Sequence, residues 1–168
     1  FTWPKKLEDS PSHRLATQDL DTVNYEEELM VGYRYFDTQE VEPQFPFGYG
    51  LSYTTFRYGR LRVSEKNGKV RGRIEIRNTG DRDGSQTVQI YVRPERPSVT
   101  RPVHELKAFE KLFLRAGERR TVEFTLPARA FSYYSETEGR WVEDPGPYTI
   151  EAAASSRDIR STAQIDIK

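Results

Sequence analysis

Three adjacent glutamates, Glu26, Glu27 and Glu28, are the carboxylates in this sequence whose grouping could support catalysis. Two carboxyl groups can cleave a glycosidic bond when they flank it at roughly 5 to 10 Å, one as the acid and the other as nucleophile or base. A run of neighbouring glutamates more often faces solvent, because ionised carboxylates are rarely buried without a partner. We therefore expect these residues to lie on the surface without a catalytic role.

The segment Asp81-Arg82-Asp83-Gly84 resembles half of a calcium-binding loop. Alternating carboxylates before a glycine can wrap a hard cation, but such a loop ends in a bidentate glutamate at its twelfth position, and residue 92 is valine. An ordinary turn is the better interpretation. The Gly48-Tyr49-Gly50 stretch follows a proline and lacks a third glycine, so it does not predict a dinucleotide site.

A hydrolase made of Ser132 or Ser135 with His104 is conceivable, but the G-x-S-x-G nucleophile elbow is missing from the sequence. His13 and His104 are the two histidines, and there is no cysteine, which excludes thiolate metal sites and disulfides. The sequence thus predicts no catalytic residue, no cofactor-binding residue and no metal site.

The stretch FPFGYGLSY, residues 45–53, belongs to the densest aromatic cluster in the sequence. Such rings can pack in a structural joint or stack on sugar rings, and both interpretations remain open at this point. The glycines favour packing because they permit tight turns and a close approach of another backbone. The aromatic residues of the cluster are Tyr33, Tyr35, Phe36, Phe45, Phe47, Tyr49 and Tyr53.

Composition narrows the possible partners. The 168 residues include 26 basic and 26 acidic side chains, so the positive charge expected of a nucleic-acid-binding protein is absent. No apolar run approaches the roughly 20 residues needed to cross a bilayer, so we expect no membrane partner. The cellular compartment stays open. Because the sequence starts on Phe1, we expect it to be part of a longer chain.

From about Tyr58 onward, apolar and polar residues alternate and turn residues recur at short intervals, which is typical of antiparallel strands. Asn67-Gly68 predicts a hairpin between residues 60–64 and 70–78. With the further expected strands, this pattern indicates an all-β, immunoglobulin- or fibronectin type III-like sandwich. Those strands are 87–93, 106–114, 121–126, 141–143, 148–153 and 163–167.

The first 55 residues lack this alternation. Residues 5–24 are polar and should form an extended linker, while residues 25–37 could be a helical turn or a strand, since short apolar runs do not distinguish the two. We therefore expect two parts: residues 1–55 as the end of a preceding domain, linker and joint, and residues 56–168 as the sandwich domain.

The segment YEEELMVGYRYFDTQEVEPQFPFGYGLSYTTFRY resembles the link between the second and third domains of family 3 glycoside hydrolases. NTGDRDGSQTVQIYV, RPVHELKAFEKLFLRAGERRTVEFTL and WVEDPGPYTIEAAASSRDIR are similar to pieces of their C-terminal fibronectin type III-like domain. FTWPKKLED resembles the end of their α/β sandwich domain. The resemblance covers essentially the whole chain.

The resemblance implies a β-glucosidase-type retaining hydrolase, with β-xylosidase as the runner-up activity. In that family the nucleophile is an Asp on an N-terminal barrel and the acid/base is usually a Glu on the α/β sandwich domain. No residue of this sequence matches either motif. The implied partners are thus those upstream domains, which would bind most of the β-glycoside substrate.

Two functions follow as expectations. The first is a structural and stabilising C-terminal region of such an enzyme, inactive by itself. The alternative is a carbohydrate- or surface-binding module, which would present two or three coplanar exposed aromatic rings. The crowding of aromatic residues in 33–53, rather than at alternating positions of one strand, favours the structural role.

Overall fold

The computed structural model describes residues 1–13 and 25–168, and the predicted all-β sandwich is confirmed in this part of the chain. Its regular elements are one short helix, α1 (Tyr33–Thr38), and ten strands. The strands are β1 (Phe56–Tyr58), β2 (Arg62–Lys66), β3 (Lys69–Asn78), β4 (Gly84–Pro94), β5 (Glu105–Leu114), β6 (Arg119–Pro127), β7 (Ser132–Ser135), β8 (Arg140–Glu143), β9 (Gly146–Ser155) and β10 (Asp158–Ile167).

The strands form two antiparallel four-stranded sheets and a hairpin. In the first sheet β3 pairs with β6 along one edge and with β1 and β2 along the other. The second sheet has the order β10-β9-β4-β5, and β7 pairs with β8. The sequence missed β1 and β7, since strands of three and four residues give little alternation, although the equally short β8 was expected over residues 141–143.

Alternation along β3 explains the first sheet. Val70, Gly72, Ile74 and Ile76 are buried, and the residues that alternate with them are exposed, as expected for a strand with one face in the core and the other in water. The predicted hairpin forms between β2 and β3, where Asn67 and Gly68 both adopt positive φ, 55° and 68°. This is the backbone that a two-residue turn needs to match the twist of its strands.

One apolar core lies between the two sheets. Val70, Ile74 and Ile76 of the first sheet pack with Ile90 and Ile150 of the second, all almost fully buried. Burying such side chains contributes about 25 cal/mol per Å² of apolar surface, which is the main force holding the sheets together.

The buried polar residue Asn78 connects the N-terminal region to this core at the end of β3. Its Nδ2 atom donates to the carbonyl oxygens of Arg82, at 2.7 Å, and Leu114, at 3.1 Å, and its Oδ1 atom accepts from Thr54 Oγ1 at 2.6 Å. A buried amide without these partners would be costly, so the contacts fix the turn after β3.

The N-terminal region is less regular. It contains a 3₁₀ turn at Leu7–Asp9, the helix α1, and an isolated bridge in which Trp3 N donates to Phe45 O at 2.8 Å. The segment whose structure the sequence left open therefore ends in a helix. Most of the predicted linker, 5–24, lies outside the described residues. Within the described ranges, no helix has the length and apolarity to span a bilayer.

Gly72 of β3 tests the packing of the first sheet. A Cβ atom added there would lie 2.1 Å from Phe124 Cζ, whose ring covers the glycine. We expect Gly72→Ala to lower the free energy of unfolding by about 1 to 3 kcal/mol through overpacking. Denaturant unfolding measures it, with Gly50→Ala as the control, since an added Cβ there meets nothing within 4 Å. Equal stability of the two variants would contradict the close packing.

Candidate functional site

A buried group of charged side chains lies on the outer face of the second sheet. It brings together residues that are far apart in the sequence. We call it the His104 cluster and define it by His104, Asp37, Glu151, Arg157 and Tyr91. His104 Nδ1 lies 2.7 Å from Glu151 Oε2, and Nε2 lies 3.2 Å from Asp37 Oδ2. An imidazole between two carboxylates can satisfy both by carrying two protons and donating from each nitrogen.

The pKa values of the cluster agree with this charged arrangement. Burial disfavours the imidazolium, but hydrogen bonds to Asp37 and Glu151 outweigh that effect and raise the pKa of His104 above its ordinary value. Burial likewise opposes ionisation of Asp37, yet hydrogen bonds from His104 and Arg157 hold the pKa of this carboxyl below its ordinary value. The charged forms therefore stabilise each other.

Arg157, in the turn between β9 and β10, binds α1 from outside. Its Nε atom donates to Asp37 Oδ1 at 2.7 Å, and Nη1 donates to Glu42 Oε2 at 2.7 Å. Nη2 donates to the carbonyl oxygens of Phe36 and Val41, both at 2.8 Å. A cation at the C-terminal end of a helix satisfies carbonyls that have no partner within the helix.

Aromatic rings cover the cluster. Tyr91 stacks on the His104 ring with centroids 4.5 Å apart, and Tyr33 meets Tyr91 edge-on at 5.7 Å. The Phe47 ring also packs against Tyr33, with centroids 5.2 Å apart. Among these rings, Tyr91 is fully buried. The rings keep water away from the ion pairs, which strengthens the pairs because the local dielectric constant falls.

Backbone contacts hold the segment 33–55, which we call the joint, against the sandwich. Ser156 N donates to Phe47 O at 2.8 Å, and Leu106 N donates to Tyr33 Oη at 2.9 Å. At Gly48, φ is +81° and a Cβ atom would lie only 2.0 Å from Gln89 Nε2. Glycine is therefore required where the joint crosses β4.

The carboxylates and hydroxyls that the sequence offered as catalytic groups lie apart from this cluster. Glu26, Glu27 and Glu28 form part of an exposed turn, in which Glu27 accepts a hydrogen bond from Ser12. Ser132 Oγ donates to Ala128 O at 3.2 Å, while both ring nitrogens of His104 face carboxylates. No serine–histidine pair is therefore assembled from His104 and Ser132.

The segment of residues 81–84, which resembles half of a calcium-binding loop, serves as a turn. Asp83 Oδ1 accepts a hydrogen bond from Ala116 N at 2.9 Å, which joins two turns at one end of the sandwich. In residues 1–13 and 25–168, no group of three or more His, Asp or Glu side chains is arranged so that it could hold a metal ion. The joint aromatics divide, since Phe36 is buried whereas Phe45, Tyr49 and Tyr53 are exposed.

Comparison with known proteins places this fold in a family context. The fibronectin type III-like domain model matches residues 86–156. Thermostable beta-glucosidase B of Acetivibrio thermocellus is 45% identical over 94% of the chain, and an exo-alpha-(1->6)-L-arabinopyranosidase of Bifidobacterium breve is 42% identical over 98% of it. The chain spans 22% of each of these proteins, about a fifth of their length.

A solved structure agrees over almost the entire chain. The crystal structure of the GH3 beta-glucosidase of Bifidobacterium adolescentis superposes with a TM-score of 0.95 at 41% identity, covering 99% of this chain and 25% of that one. The chain is a fibronectin type III-like region of the family 3 glycoside hydrolases. The match includes the joint as well as the strands, so the joint is part of what the family shares.

Sequence reasoning did not find the His104 cluster in this fibronectin type III-like region. The sequence offers His104 as a partner for Ser132 or Ser135 and as one of two histidines for a metal site, and it predicts no role for Arg157. Asp37 and Arg157 are 120 positions apart, and nothing in the local pattern of either predicts the pair. The sequence carries one signal for this pair: Asp37 and Arg157 both lie in segments that resemble the family.

The two half-exposed rings of the β7–β8 hairpin do not lie in one plane. Tyr134 and Trp141 of the β7–β8 hairpin are about half exposed, but their rings are inclined at 71°. The guanidinium carbon of Arg129 lies over the Trp141 ring, 4.3 Å from its centroid. This geometry does not provide the flat platform that the binding-module alternative requires.

The pH dependence of stability follows from the cluster. The raised pKa of His104 gives stability that is complete below its unfolded value of 6.5 and is lost as pH rises through the higher folded value. The lowered pKa of Asp37 gives stability that is present above 3.8 and is lost as pH falls through the lower folded value. We expect maximal stability between about pH 4 and 6.5.

Thermal unfolding from acid to alkaline pH measures this dependence. In His104→Gln the decline of Tm above pH 6.5 should flatten, because the titrating group is gone. An unchanged alkaline slope in this variant would show that another group causes the decline. The test compares the slopes of Tm against pH, so a Tm that is lower by the same amount at every pH in the variant does not affect the result.

Removal of Arg157 should release the joint. We expect Arg157→Ala to lower the free energy of unfolding by about 2 to 4 kcal/mol, because Asp37 loses a buried partner and Val41 O loses its donor, while Phe36 O keeps only the hydrogen bond from Val41 N. The matched control is Arg160→Ala, whose exposed partner Asp158 lies two residues away and whose loss should cost little. Denaturant unfolding compares them, and similar losses would contradict the assigned role.

Proposed function

We propose that this chain is the C-terminal structural region of a retaining, β-glucosidase-type family 3 hydrolase. In this proposal residues 1–55 join the preceding α/β sandwich domain to the terminal domain, which residues 56–168 form. The region carries no catalytic residue, needs no cofactor and leaves most of the β-glycoside contacts to the upstream barrel and α/β sandwich domains. The observation that carries the proposal is the His104 cluster, which fixes the joint against the sandwich.

An exposed apolar surface on the joint and the N-terminal segment supports docking to those domains. We call it the joint patch and define it by Phe1, Trp3, Phe45, Tyr49, Leu51 and Tyr53. Trp3 pairs with Phe45 through the backbone, and Phe45 stacks on Tyr49 at 5.2 Å. Leu51 and Tyr53 are 90% and 92% exposed. Contiguous apolar side chains at a surface mark a site that another surface covers.

The occupant we propose is the remainder of the same polypeptide. The relatives are four to five times longer than this chain, since it spans 22% of them, and a domain interface inside one chain needs no separate association step. Burial of the patch would contribute about 25 cal/mol per Å² before ordering costs. The terminal region would thereby stabilise its neighbours.

A structural role also agrees with the range of related activities. One relative is named a beta-glucosidase and another an exo-alpha-(1->6)-L-arabinopyranosidase, and the two are 45% and 42% identical to this chain. A region that chose the sugar would be expected to differ more between enzymes of different specificity. We therefore assign the choice of sugar to the upstream domains.

Hydrolysis of a chromogenic aryl β-glucoside tests the proposal directly. The purified 168-residue chain should be inactive, and the full-length protein should be active. A mixture of the chain with separately produced upstream domains should regain part of that activity if the two surfaces dock. Hydrolysis by the chain alone would overturn the proposal and direct attention to Glu26, Glu27 and Glu28.

The joint patch offers a sharper test, because its members are exposed in this chain. The double variant Leu51→Ser with Tyr53→Ser should leave the stability of the 168-residue chain within about 0.5 kcal/mol. In the full-length protein it should lower stability by about 2 to 5 kcal/mol, the usual cost of truncating buried apolar side chains.

The control for the patch is Tyr134→Ser on the β7–β8 hairpin, a tyrosine that is 52% exposed and outside the joint patch. It should have a small effect in both proteins. Calorimetry of the two proteins with and without each change gives the comparison. An unchanged Tm in the full-length double variant would show that the patch is not a domain interface.

A further inference from the structure

The outer face of the first sheet carries an unusual concentration of cations. These side chains point away from the core, since they alternate with the buried residues of β3 and β6 and are all exposed. We call this surface the arginine face. Its cations are Arg57, Arg62, Lys66, Lys69, Arg71, Arg73, Arg77 and Arg119, and its carboxylates are Glu75 and Glu123.

Strand register places like charges side by side on this face. Arg57 pairs with Arg77, and Arg77 pairs with Arg119, so three arginines lie in one row across β1, β3 and β6. At the other end Lys66 pairs with Lys69. Like charges directly opposite each other in a sheet are destabilising. The sandwich therefore bears a cost here that its fold does not require.

Neighbouring carboxylates do not balance these cations. Within residues 1–13 and 25–168, the ion pair recorded on the arginine face joins Arg119 Nη1 to Glu75 Oε2 at 3.9 Å, and both side chains are largely exposed. The chain as a whole has equal numbers of acidic and basic residues, so the excess on this face results from distribution and not from composition. A concentrated positive field attracts anions.

The face is also shaped to hold an extended ligand. A groove of about 620 Å³ crosses it, and the polar side chains that line the groove are Arg62, Ser64, Arg71, Arg73, Glu123 and Thr125. Arg71 and Arg73 project to the same side, about 7 Å apart along β3, and neighbouring strands are about 4.8 Å apart. This gives regularly spaced guanidinium groups with hydroxyls beside them.

We propose that the arginine face binds a polysaccharide that carries carboxylate groups, such as a polymer of uronic acids. Guanidinium groups bind carboxylates through two parallel hydrogen bonds. Ser64 and Thr125 can exchange hydrogen bonds with sugar hydroxyls, because a hydroxyl both donates and accepts. Arg62 and Arg73, which pair across β2 and β3, both line the groove, so a polymer lying there relieves the repulsion between them.

The side chains of the face argue against single-stranded nucleic acid. Such binding combines a basic groove with aromatic platforms for the bases, whereas the aromatic residue that lines this groove, Phe124, alternates with the outward-facing Glu123 and Thr125 and packs its ring against Gly72. The choice of a glycan also rests on the proposed function, since a glycoside hydrolase works among glycans. The charge distribution and the groove do not depend on it.

Affinity electrophoresis of the full-length protein in native gels tests the proposal. Migration in gels containing polygalacturonate is divided by migration in plain gels, which removes the effect of a variant's own charge. Parallel gels contain a neutral β-glucan or double-stranded DNA. We expect polygalacturonate to retard the protein, the neutral glucan to have little effect, and retardation to weaken at about 0.5 M salt.

The test variant is Arg71→Glu with Arg77→Glu. We expect its apparent affinity for polygalacturonate to fall by roughly tenfold or more, while its Tm is unchanged or higher because Arg57 and Arg119 no longer face a third arginine. The control is Arg93→Glu with Arg96→Glu, two exposed arginines outside the first sheet that give the same change in net charge. The control should keep the parent affinity.

Each alternative outcome overturns the proposal. Equal weakening in the two variants would indicate attraction by net charge alone. Stronger retardation by DNA than by polygalacturonate would indicate a nucleic-acid surface, and no retardation by any polymer would indicate a solvated face. Aryl β-glucoside hydrolysis by the same samples separates the two hypotheses: an active enzyme without retardation refutes polymer binding only, and an inactive enzyme refutes the proposed function.

Discussion

The pairing of His104 with two carboxylates is the constraint on which the arrangement of the joint depends. A charge removed from water is costly unless it is paired with good geometry, and its two partners come from different elements, Asp37 on α1 and Glu151 on β9. Glu151 is present in the sandwich whether or not the joint is bound. Asp37 reaches His104 only when α1 lies against the second sheet, so protonation of His104 and docking of the joint favour each other.

The neighbouring contacts make this docking cooperative. Arg157 binds Asp37 and two carbonyls near the end of α1, so the helix cannot move without losing several hydrogen bonds at once. A helix of six residues has little stability of its own, since nucleation costs more than so few bonds return. Tertiary contacts therefore account for its presence, and the rings of Tyr33 and Tyr91, which meet edge-on, exclude the water that would weaken them.

The same physics explains which parts the sequence could predict. The alternation of apolar and polar residues predicts the long strands, such as β3, and Asn67-Gly68 predicts the hairpin before β3. Both signals can be read because they are local in the sequence. The helix α1 and the strand β1 are too short to display a period. The His104 cluster joins residues up to 120 positions apart, and no propensity links Asp37 to Arg157. The role of FPFGYGLSY as a joint came from family resemblance, while only the structure divided its rings into packed and exposed.

The two outer faces of the sandwich differ in a way that limits how it can sit in a larger protein. The joint packs on the outer face of the second sheet and turns apolar side chains such as Leu51 and Tyr53 outward, where burial under another surface would be favourable. The first sheet turns Arg71 and Arg77 outward, and burying such charges without partners would cost several kcal/mol each. An arrangement that covers the joint and leaves the arginine face in water satisfies both requirements. The reverse arrangement satisfies neither, so the surface chemistry selects one orientation.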